Sequence, residues 1–250
     1  METLIIAAGY GTRLAPVSGS KPLAPVCGIP LIEIGIRQAM AAGSDSIIVV
    51  TGHEAEALET ALAAIGQRLR VSIRCVRLAD WSRPNGYSVL AGAELIEGDF
   101  LLVMADHILS TPILAGLARC GAPDRGVTLA IDRRVDSPLV DPDDATWVRL
   151  DSHQRISAIG KHVAPYDAVD CGAFLATREL PAAIAEAISE GLAGSLSDGM
   201  QRLADRGRAA VLDIGDAWWI DVDDPRAHAL AEAQAPLHLP ALFAGEEVAR

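Results

Sequence analysis

The sequence predicts an α/β protein in which a mainly parallel sheet is flanked by helices. Short runs of β-branched or apolar residues alternate with alanine-rich segments whose apolar residues recur at helical spacing. This alternation is typical of strands that are each followed by a covering helix. Half of the 250 residues are hydrophobic, which is enough to bury a substantial core. We therefore expect most of the chain to be folded.

The first half of the chain shows the alternation most clearly. Strands are expected at Leu4–Ala8, Ile47–Thr51, Val71–Val76, Phe100–Met104 and Val127–Ile131. Helices are expected between them at Leu31–Ala42, Glu54–Ile65, Tyr87–Leu95 and Ile113–Arg119. Parallel strands need such crossover helices, so this order favours one parallel sheet.

The second half begins with a change of pattern between residues 146 and 175. The stretch "TWVRLDSHQRISAIG" and the later "VDCGAFLAT" predict a hairpin and a further strand, inserted over the sheet. Helices follow at Leu180–Ser189 and Leu196–Ala204, then a strand at Ala210–Ile214 and a helix from about Arg226 to Gln234. The proline-interrupted tail, 236–250, is expected to pack loosely.

Composition excludes several classes of partner and location. The net charge of −12 argues against nucleic acid and against an anionic membrane surface, because both require clustered Lys and Arg. No apolar run approaches the ~20 residues that span a bilayer, and "METLIIAAGYGTRL" is typical of a buried strand, not a signal peptide. The four cysteines lack the spacing of a zinc site or a disulfide framework. A reduced, cytoplasmic protein without membrane insertion is the simplest interpretation.

The glycine-rich stretch "AAGYGTRL" directly follows the first predicted strand. Glycines there let backbone N–H groups approach phosphate oxygens. A dinucleotide fingerprint is excluded because Leu14 stands where its third glycine belongs, and the Gly-Lys-Ser/Thr of a P-loop is absent. Two interpretations remain open: Gly9, Gly11, Thr12 and Arg13 form a phosphate cradle, or they form a tight turn with a solvated arginine.

Charged residues at three other places are candidates for the same site. Lys21 stands before a proline and offers a compact positive charge for a phosphate. Asp106 follows a predicted buried strand, at the end of the sheet where open α/β sheets bind ligands, and Asp221 follows a second apolar run. Two such carboxylates, together with substrate phosphates, suffice for Mg²⁺. Asp223 and Asp224 compete for this role, and Asp223 is also a candidate cap for the last helix.

The stretch "RPNGYS", residues 83–88, contains the Pro-Asn-Gly sequence of a turn but is not flanked by two alternating strands. Apolar residues at helical spacing begin at Tyr87 instead. Asn85 therefore has two candidate roles: its side chain caps this helix, or its amide contacts a ligand.

The run "LIIAAGYGTRL…KPL" resembles the sugar-phosphate nucleotidylyltransferase superfamily. The similarity continues through "NGYSVLAGAELIEGDFLLVMADHI", "ISAIGKHVAPYDAVDCGAF" and "WWIDVDDP", across nearly the whole chain, and is greatest to the CTP:inositol-1-phosphate cytidylyltransferases. The resemblance implies a Rossmann-like fold of the nucleotide-diphospho-sugar transferase type, with a β-hairpin insertion over the acceptor site. It also implies a single domain, 1–235, in which 1–110 binds nucleotide and 111–235 binds the acceptor.

The activity implied by the resemblance is transfer of a cytidylyl group from CTP to inositol 1-phosphate with Mg²⁺, giving CDP-inositol and pyrophosphate. Phosphocholine, an aminoalkylphosphonate, and a hexose 1-phosphate with a uridylyl, thymidylyl or guanylyl donor remain alternatives. No general base is required, because a phosphomonoester is largely ionised at neutral pH. The resemblance further implies a functional link to a membrane CDP-alcohol transferase, and a homodimer is compatible with it.

The resemblance also implies a role for each of a set of residues. Catalysis is expected from Arg13, Lys21 and Asp106, with Asp106 and Asp221 as metal ligands. Nucleotide contacts are expected at Ala7, Ala8, Gly9, Gly11, Thr12, Arg13, Lys21, Asn85, Gly86, Ser88 and Ala105. Acceptor contacts are expected at His107, Lys161, Asp170 and Gly172.

The sequence disfavours two functions of other classes. A nicotinamide-dependent dehydrogenase is disfavoured by the missing third glycine and by the lack of an acidic residue at the end of "IIVVTGH". A catalytically silent nucleotide sensor is disfavoured because Arg13, Lys21 and the candidate metal ligands are all present.

Overall fold

The main sheet and its covering helices are seen in a computed structural model, which describes residues 1–244. The strands are β1 Glu2–Ala7, β2 Pro25–Val26, β3 Ile29–Pro30, β4 Ser46–Thr51, β5 Ser72–Arg77, β6 Phe100–Met104, β7 His107–Leu109, β8 Val127–Asp132, β9 Trp147–Leu150, β10 Ile156–Gly160, β11 Ala168–Ala176, β12 Ala209–Asp213 and β13 Trp219–Asp221. The helices are α1 Leu31–Ala41, α2 Ala55–Leu69, α3 Gly86–Ala93, α4 Thr111–Cys120, α5 Glu179–Ser189, α6 Leu196–Asp205, α7 Pro225–His238 and α8 Pro240–Phe243.

Within residues 1–244, nine strands form the main sheet, in the order β10-β9-β11-β6-β1-β4-β5, with β8 beside β11 and β12 beside β8. The strands β6, β1, β4 and β5 are parallel, whereas β11 runs antiparallel to β6 and β8. The prediction of a mainly parallel, mixed sheet flanked by helices is therefore confirmed.

Helices cover both faces of the sheet because alternate residues of each strand point to opposite sides. Leu4 of β1 packs in the cluster that contains Ile184 of α5, and its neighbour Ile5 packs in the cluster that contains Ile36 of α1 and Leu62 of α2. Burying each such side chain contributes about 1.5–3 kcal/mol. This two-sided burial explains why β1 is a continuous apolar run.

The predicted elements occur in the predicted order, with differences at their ends. The hairpin of β9 and β10 is present, but it continues the main sheet at its edge beyond β11, so the expectation that it lies over the sheet is wrong. Its strands pair because backbone groups at the edge of β11 are free to accept another strand. Whether the hairpin adjoins an acceptor stays a prediction.

The C-terminal part of the described chain is more helical than predicted. Helix α7 continues through Pro236 to His238, and Leu239 is buried. The expectation of a loosely packed tail from residue 236 is therefore wrong for 236–239, because Ala235 and Leu239 join the apolar cluster around Trp218. The rest of the predicted tail beyond residue 244 lies outside the described residues.

Two predictions about composition can be compared with residues 1–244. All four cysteines are free thiols there, as their spacing indicates. None of the described helices combines the length and apolar character that crossing a bilayer requires.

Candidate active site

The glycine-rich loop after β1 forms one wall of a cavity of about 280 Å³. Other walls come from the turn at Lys21 and from the carboxyl end of β6. The lining residues are Ile6, Ala7, Gly9, Gly11, Thr12, Arg13, Lys21, Pro22, Ala105, Asp106 and Asp223. Most of the predicted nucleotide contacts are therefore brought together. Ala8, Asn85, Gly86 and Ser88 do not line this cavity.

The two loop glycines have different surroundings. Gly11 has a φ of 59°, and a Cβ atom there would lie 2.4 Å from Cβ of Lys21, so the loop and the lysine pack against each other only without a side chain. Gly9 has no such neighbour within 4 Å, which leaves its backbone open to the cavity. This open side leaves room for an approaching phosphate.

Replacing Gly11 with alanine should damage the site more than the fold. We expect a loss of roughly 1–2 kcal/mol in the free energy of unfolding from the left-handed backbone. We also expect about a 10²-fold fall in kcat/KM, because the new methyl group displaces Lys21. Urea unfolding and steady-state kinetics measure the two effects. Gly19→Ala is the matched control, since a Cβ at Gly19 meets nothing within 4 Å. Equal effects of the two changes would contradict the proposed packing.

A second cavity, of about 270 Å³, adjoins the first. Its walls include the predicted acceptor residues His107, Lys161, Asp170 and Gly172, together with Asn85. Asp106 and Asp223 line both cavities. The boundary between the two cavities is thus formed by carboxylates that follow β6 and β13.

The two cavities are connected by a chain of ion pairs. The ammonium group of Lys21 lies 2.5 Å from Oδ2 of Asp106 and also contacts Asp223. Arg13 pairs with Asp223 and with Asp144, and Lys161 pairs with Asp144. Lys21 is only 8% exposed, whereas Arg13 and Lys161 are about half exposed at 48% and 56%. All three predicted cations are therefore held by carboxylates where the cavities meet.

The strand pair β7–β13 explains how Asp106 and Asp221 come together from distant parts of the chain. The register places Asp221 opposite His107, and the backbone N–H of Val222 donates to the carbonyl of Asp106 at 2.9 Å. Nδ1 of His107 lies 2.8 Å from Oδ1 of Asp106. His107 also stacks on Trp219, with ring centroids 5.9 Å apart.

The electrostatics of this group follow from its burial and its charges. Burial alone would lower the pKa of His107, but the charge of Asp221 and the hydrogen bond to Asp106 raise it to about 9. Burial also acts to raise the pKa of Asp106, yet the charge of Lys21 and the hydrogen bond with His107 hold it well below the ordinary range. The pKa of Asp221 is raised, chiefly by burial. The charge of Asp221 is thus less well compensated than that of Asp106.

The carboxylates around Asp221 are suited to a divalent cation. Ligand atoms of Asp106, His107 and Asp221 lie within 4.8 Å of one another, as do those of Asp144, Asp221 and Asp223. In the described part of the chain, Oδ1 of Asp221 is buried without a hydrogen-bond partner. Leaving a buried acceptor unpaired costs about 1–3 kcal/mol. Several carboxylate oxygens close to such an atom are the donor set that Mg²⁺ prefers.

Asp170 and Gly172 form one wall of the second cavity on β11. Oδ1 of Asp170 accepts a hydrogen bond from the backbone N–H of Gly172 at 2.7 Å. Burial raises the pKa of Asp170 to about 6, although that hydrogen bond acts to lower it. Gly172 has a φ of 70°, and a Cβ atom there would lie 2.4 Å from the His107 ring. The glycine is therefore needed for His107 to reach its place.

The loop "RPNGYS" differs from one of the two expectations for Asn85. Asn85 occupies the N-cap position of α3, but its side chain makes no cap hydrogen bond, so the capping prediction is wrong. Oδ1 of Asn85 instead accepts from the backbone N–H of Leu196 at 2.8 Å, at the start of α6. A Cβ at Gly86 would lie 2.2 Å from the carbonyl oxygen of Gly194, so close packing explains this glycine. Contact of the loop with a base stays a prediction.

Asp223 and Asp224, the two further candidates for the metal role, make different contacts in the structure. Asp224 is the cap of α7, since its side chain accepts from the N–H of Ala227 at 2.7 Å. Asp223 contacts Lys21 and Arg13, so its predicted role as a cap is wrong. Asp144 is the residue that sequence reasoning missed. It stands in the loop "DPDDATW", where no spacing distinguishes it from its acidic neighbours.

A glycine loop and cavities at the carboxyl ends of the strands are the features with which open α/β sheets bind phosphate-containing ligands. Comparison with protein families agrees. The model of the MobA-like NTP transferase domain matches residues 3–155, and the chain belongs to this family.

Individual proteins show further similarity. The chain is 36% identical over 231 residues to the "Bifunctional IPC transferase and DIPP synthase" of Rubrobacter xylanophilus, covering 91% of this chain and 50% of the relative. For the protein of the same name from Aquifex aeolicus, the identity is 28% and the coverage 89% and 49%. The chain thus spans about half the length of the curated relatives it matches.

Among solved structures, the inositol-1-phosphate CTP transferase from T. maritima superposes with a TM-score of 0.80. Its sequence identity is 25%, with 92% of this chain and 94% of that chain covered. UDP-glucose pyrophosphorylase complexed with UDP-glucose superposes with a TM-score of 0.76 at 21% identity and shows the fold alone.

Proposed function

We propose that the protein transfers a cytidylyl group from CTP to inositol 1-phosphate, giving CDP-inositol and pyrophosphate. The observation that carries the proposal is the position of Lys21. Its buried ammonium group lies between Asp106 and Asp223, the two carboxylates that line both cavities. A lysine at this boundary is placed to contact a phosphate that passes from a donor in one cavity to an acceptor in the other.

The reaction follows from the charges of the two substrates. A phosphate oxygen of the acceptor attacks the α-phosphorus, a new P–O bond forms, the bond to the β-phosphate breaks, and pyrophosphate leaves. Both substrates are anionic, so the site must neutralise and align them. Arg13 and the backbone N–H groups near Gly9 and Gly11 bind the triphosphate, and Lys21 binds the phosphate that is transferred. Lys161 binds the acceptor phosphate.

Other side chains have supporting roles in this proposal. Asp106 and Asp221 hold Mg²⁺, with Asp223 close enough to share it. When bound, Mg²⁺ supplies positive charge for the phosphate oxygens. Asp170, Gly172 and His107 contact the hydroxyl groups of the acceptor. Residues 1–110 accordingly form the nucleotide-binding half of the domain, and residues 111–235 the acceptor-binding half.

The choice of substrates is supported by similarity. The solved structure with a TM-score of 0.80 is named for an inositol-1-phosphate CTP transferase, and curated relatives are named for IPC transferase and DIPP synthase activities. Because the chain spans only about half of those relatives, a link to a membrane CDP-alcohol transferase is part of the proposal.

A substrate matrix tests the proposal. Pyrophosphate release is measured with CTP, UTP, dTTP and GTP, each combined with inositol 1-phosphate, phosphocholine, an aminoalkylphosphonate and glucose 1-phosphate. We expect the highest kcat/KM with CTP and inositol 1-phosphate, and no release when Mg²⁺ is removed by a chelator. Turnover confined to UTP or dTTP with glucose 1-phosphate would refute the choice of substrates while leaving the nucleotidyltransferase class intact.

A further inference from the structure

Asp144 forms ion pairs with two cations that line different cavities. It lies in the loop between β8 and β9, and its carboxylate contacts Arg13, which lines the glycine-loop cavity, and Lys161, which lines the other cavity. Each of its two oxygens accepts one hydrogen bond: Oδ1 accepts from Lys161, and Oδ2 accepts from Arg13. One carboxylate thus links the cation assigned to the triphosphate with the cation assigned to the acceptor phosphate.

We propose that Asp144 is a positioning residue that holds Arg13 and Lys161 in the ligand-free protein and is replaced on both by substrate phosphates. The inference rests on the proposed function, because that function makes Arg13 and Lys161 phosphate ligands. In addition, the carboxylate of Asp144 competes with those phosphates for the two cations of the ligand-free site.

The geometry makes this competition direct. A carboxylate and a phosphate present the same kind of acceptor oxygens to a guanidinium or ammonium group. Arg13 and Lys161 are about half exposed, at 48% and 56%, whereas Asp144 is 23% exposed. The cations are thus accessible to a ligand while the carboxylate is covered by them. A phosphate that accepts from the same N–H groups replaces Asp144 on them.

The strength of the competition follows from the exposure of the two pairs. Ion pairs between such partly exposed groups contribute about 0.2–1 kcal/mol each. Removing the charge of Asp144 removes its ion pairs with Arg13 and Lys161. Each tenfold change in affinity corresponds to about 1.4 kcal/mol. Because each probe displaces Asp144 from one of the two cations, we expect it to bind Asp144→Asn roughly 1.4- to 5-fold more tightly than the wild-type protein.

The matched control is Asp143→Asn. Asp143 is the exposed neighbour of Asp144 in the same loop, so its replacement makes the same change of net charge at nearly the same place. It does not remove an ion-pair partner of either cation, because Arg13 pairs with Asp144 and Asp223 and Lys161 pairs with Asp144. A general change in the electrostatic field of the protein therefore alters the phosphate affinity of both variants, whereas loss of direct competition alters only that of Asp144→Asn.

The experiment is calorimetric titration of the full chain with inorganic tripolyphosphate, and separately with inorganic phosphate, in the presence of a metal chelator. Tripolyphosphate probes the cavity of Arg13, and phosphate probes that of Lys161. We expect Asp144→Asn to bind both probes more tightly and Asp143→Asn to bind them like the wild type. Damage to the loop would weaken binding, so a gain of affinity cannot arise from misfolding.

A double-variant comparison shows whether the effect acts through Arg13. In an Arg13→Gln background, the gain in tripolyphosphate affinity from Asp144→Asn should shrink toward that of the control. Unchanged or weaker binding by Asp144→Asn, or an equal gain in Asp143→Asn, would overturn the proposal.

The outcomes separate this inference from the proposed function. Tripolyphosphate binding and nucleotidyl transfer by the wild type, without a gain in Asp144→Asn, would refute the role of Asp144 and leave the function standing. Failure of the wild type and of Asp144→Asn to bind either probe would refute the inference about Asp144, and pyrophosphate release in the substrate matrix decides the proposed function separately.

Discussion

Asp106→Asn should lower kcat at least about 10³-fold while the protein remains folded. The carboxylate lies at the boundary of both cavities, 2.5 Å from the ammonium group of Lys21 and 2.8 Å from the ring of His107. Losing its charge removes a proposed metal ligand and one of the two carboxylates that position Lys21. Removal of a single preorganised electrostatic group at a reacting centre costs about 10²–10³-fold, and Asp106 has two such roles.

The fold should tolerate this change because Lys21 keeps its ion pair with Asp223. Single-turnover and steady-state kinetics measure the activity, and urea unfolding measures the stability. The matched control is Asp99→Asn, which removes an exposed carboxylate that precedes β6 at the opposite end of the same strand. Turnover by Asp106→Asn within tenfold of the wild type would refute a catalytic role for Asp106.

Glu33→Gln should destabilise the protein by about 2–3 kcal/mol at pH 7. Glu33 lies on α1 with a side chain only 4% exposed. Arg68 of α2 donates to both of its oxygens, at 2.7 and 2.6 Å, and Nε of Arg37 donates to Oε1 at 2.9 Å. Breaking a buried pair costs about 3–5 kcal/mol, and the partial exposure of both arginines reduces this cost.

The effect of Glu33→Gln should depend on pH in a defined direction. Burial alone would raise the pKa of Glu33, but the hydrogen bonds and charges of Arg68 and Arg37 lower it. Because the folded protein then binds this proton less readily than the unfolded chain, the stabilisation is fully present above the ordinary glutamate pKa of about 4.3. This stabilisation is lost as the pH falls through the lowered pKa that Glu33 has in the folded protein.

Urea unfolding of both proteins between pH 7 and pH 3 measures this difference. The gap in the free energy of unfolding between wild type and Glu33→Gln should be constant near neutrality and narrow as the pH falls below about 4.3. Glu97→Gln, which alters an exposed carboxylate in the loop before β6, should change stability by less than about 0.5 kcal/mol. A gap that widens on acidification would contradict the assigned ion pairs.

Much of the fold was predictable because its signals are local. Apolar runs such as "LIIAA" and "FLLVM" become strands because they are buried on both faces of the sheet. Asp106 was predictable as a site residue for a related reason. A carboxylate directly after a buried parallel strand lies at the ligand-binding edge of an α/β sheet wherever that strand stands in the order.

Other parts of the site depend on contacts that no local pattern contains. Asp223 and Asp224 are adjacent, yet one contacts Lys21 and the other caps α7, because successive side chains beyond β13 point in different directions. Asn85 occupies a cap position, but its oxygen is taken by Leu196, more than a hundred residues away. The position of the hairpin was mispredicted because pairing with β11 depends on which sheet edge is free.

Residue type and short spacing were enough to predict the alternation of strands and helices, the glycine loop after β1, and the candidate cations and carboxylates. Which of those charges meet depends on the packing of the whole chain. Arg13, Asp144 and Lys161 are separated by 131 and 17 positions along the chain, and they form one group because the sheet brings their loops to the same edge. Ion pairs depend on distances of a few ångströms, and only the packed fold determines those distances.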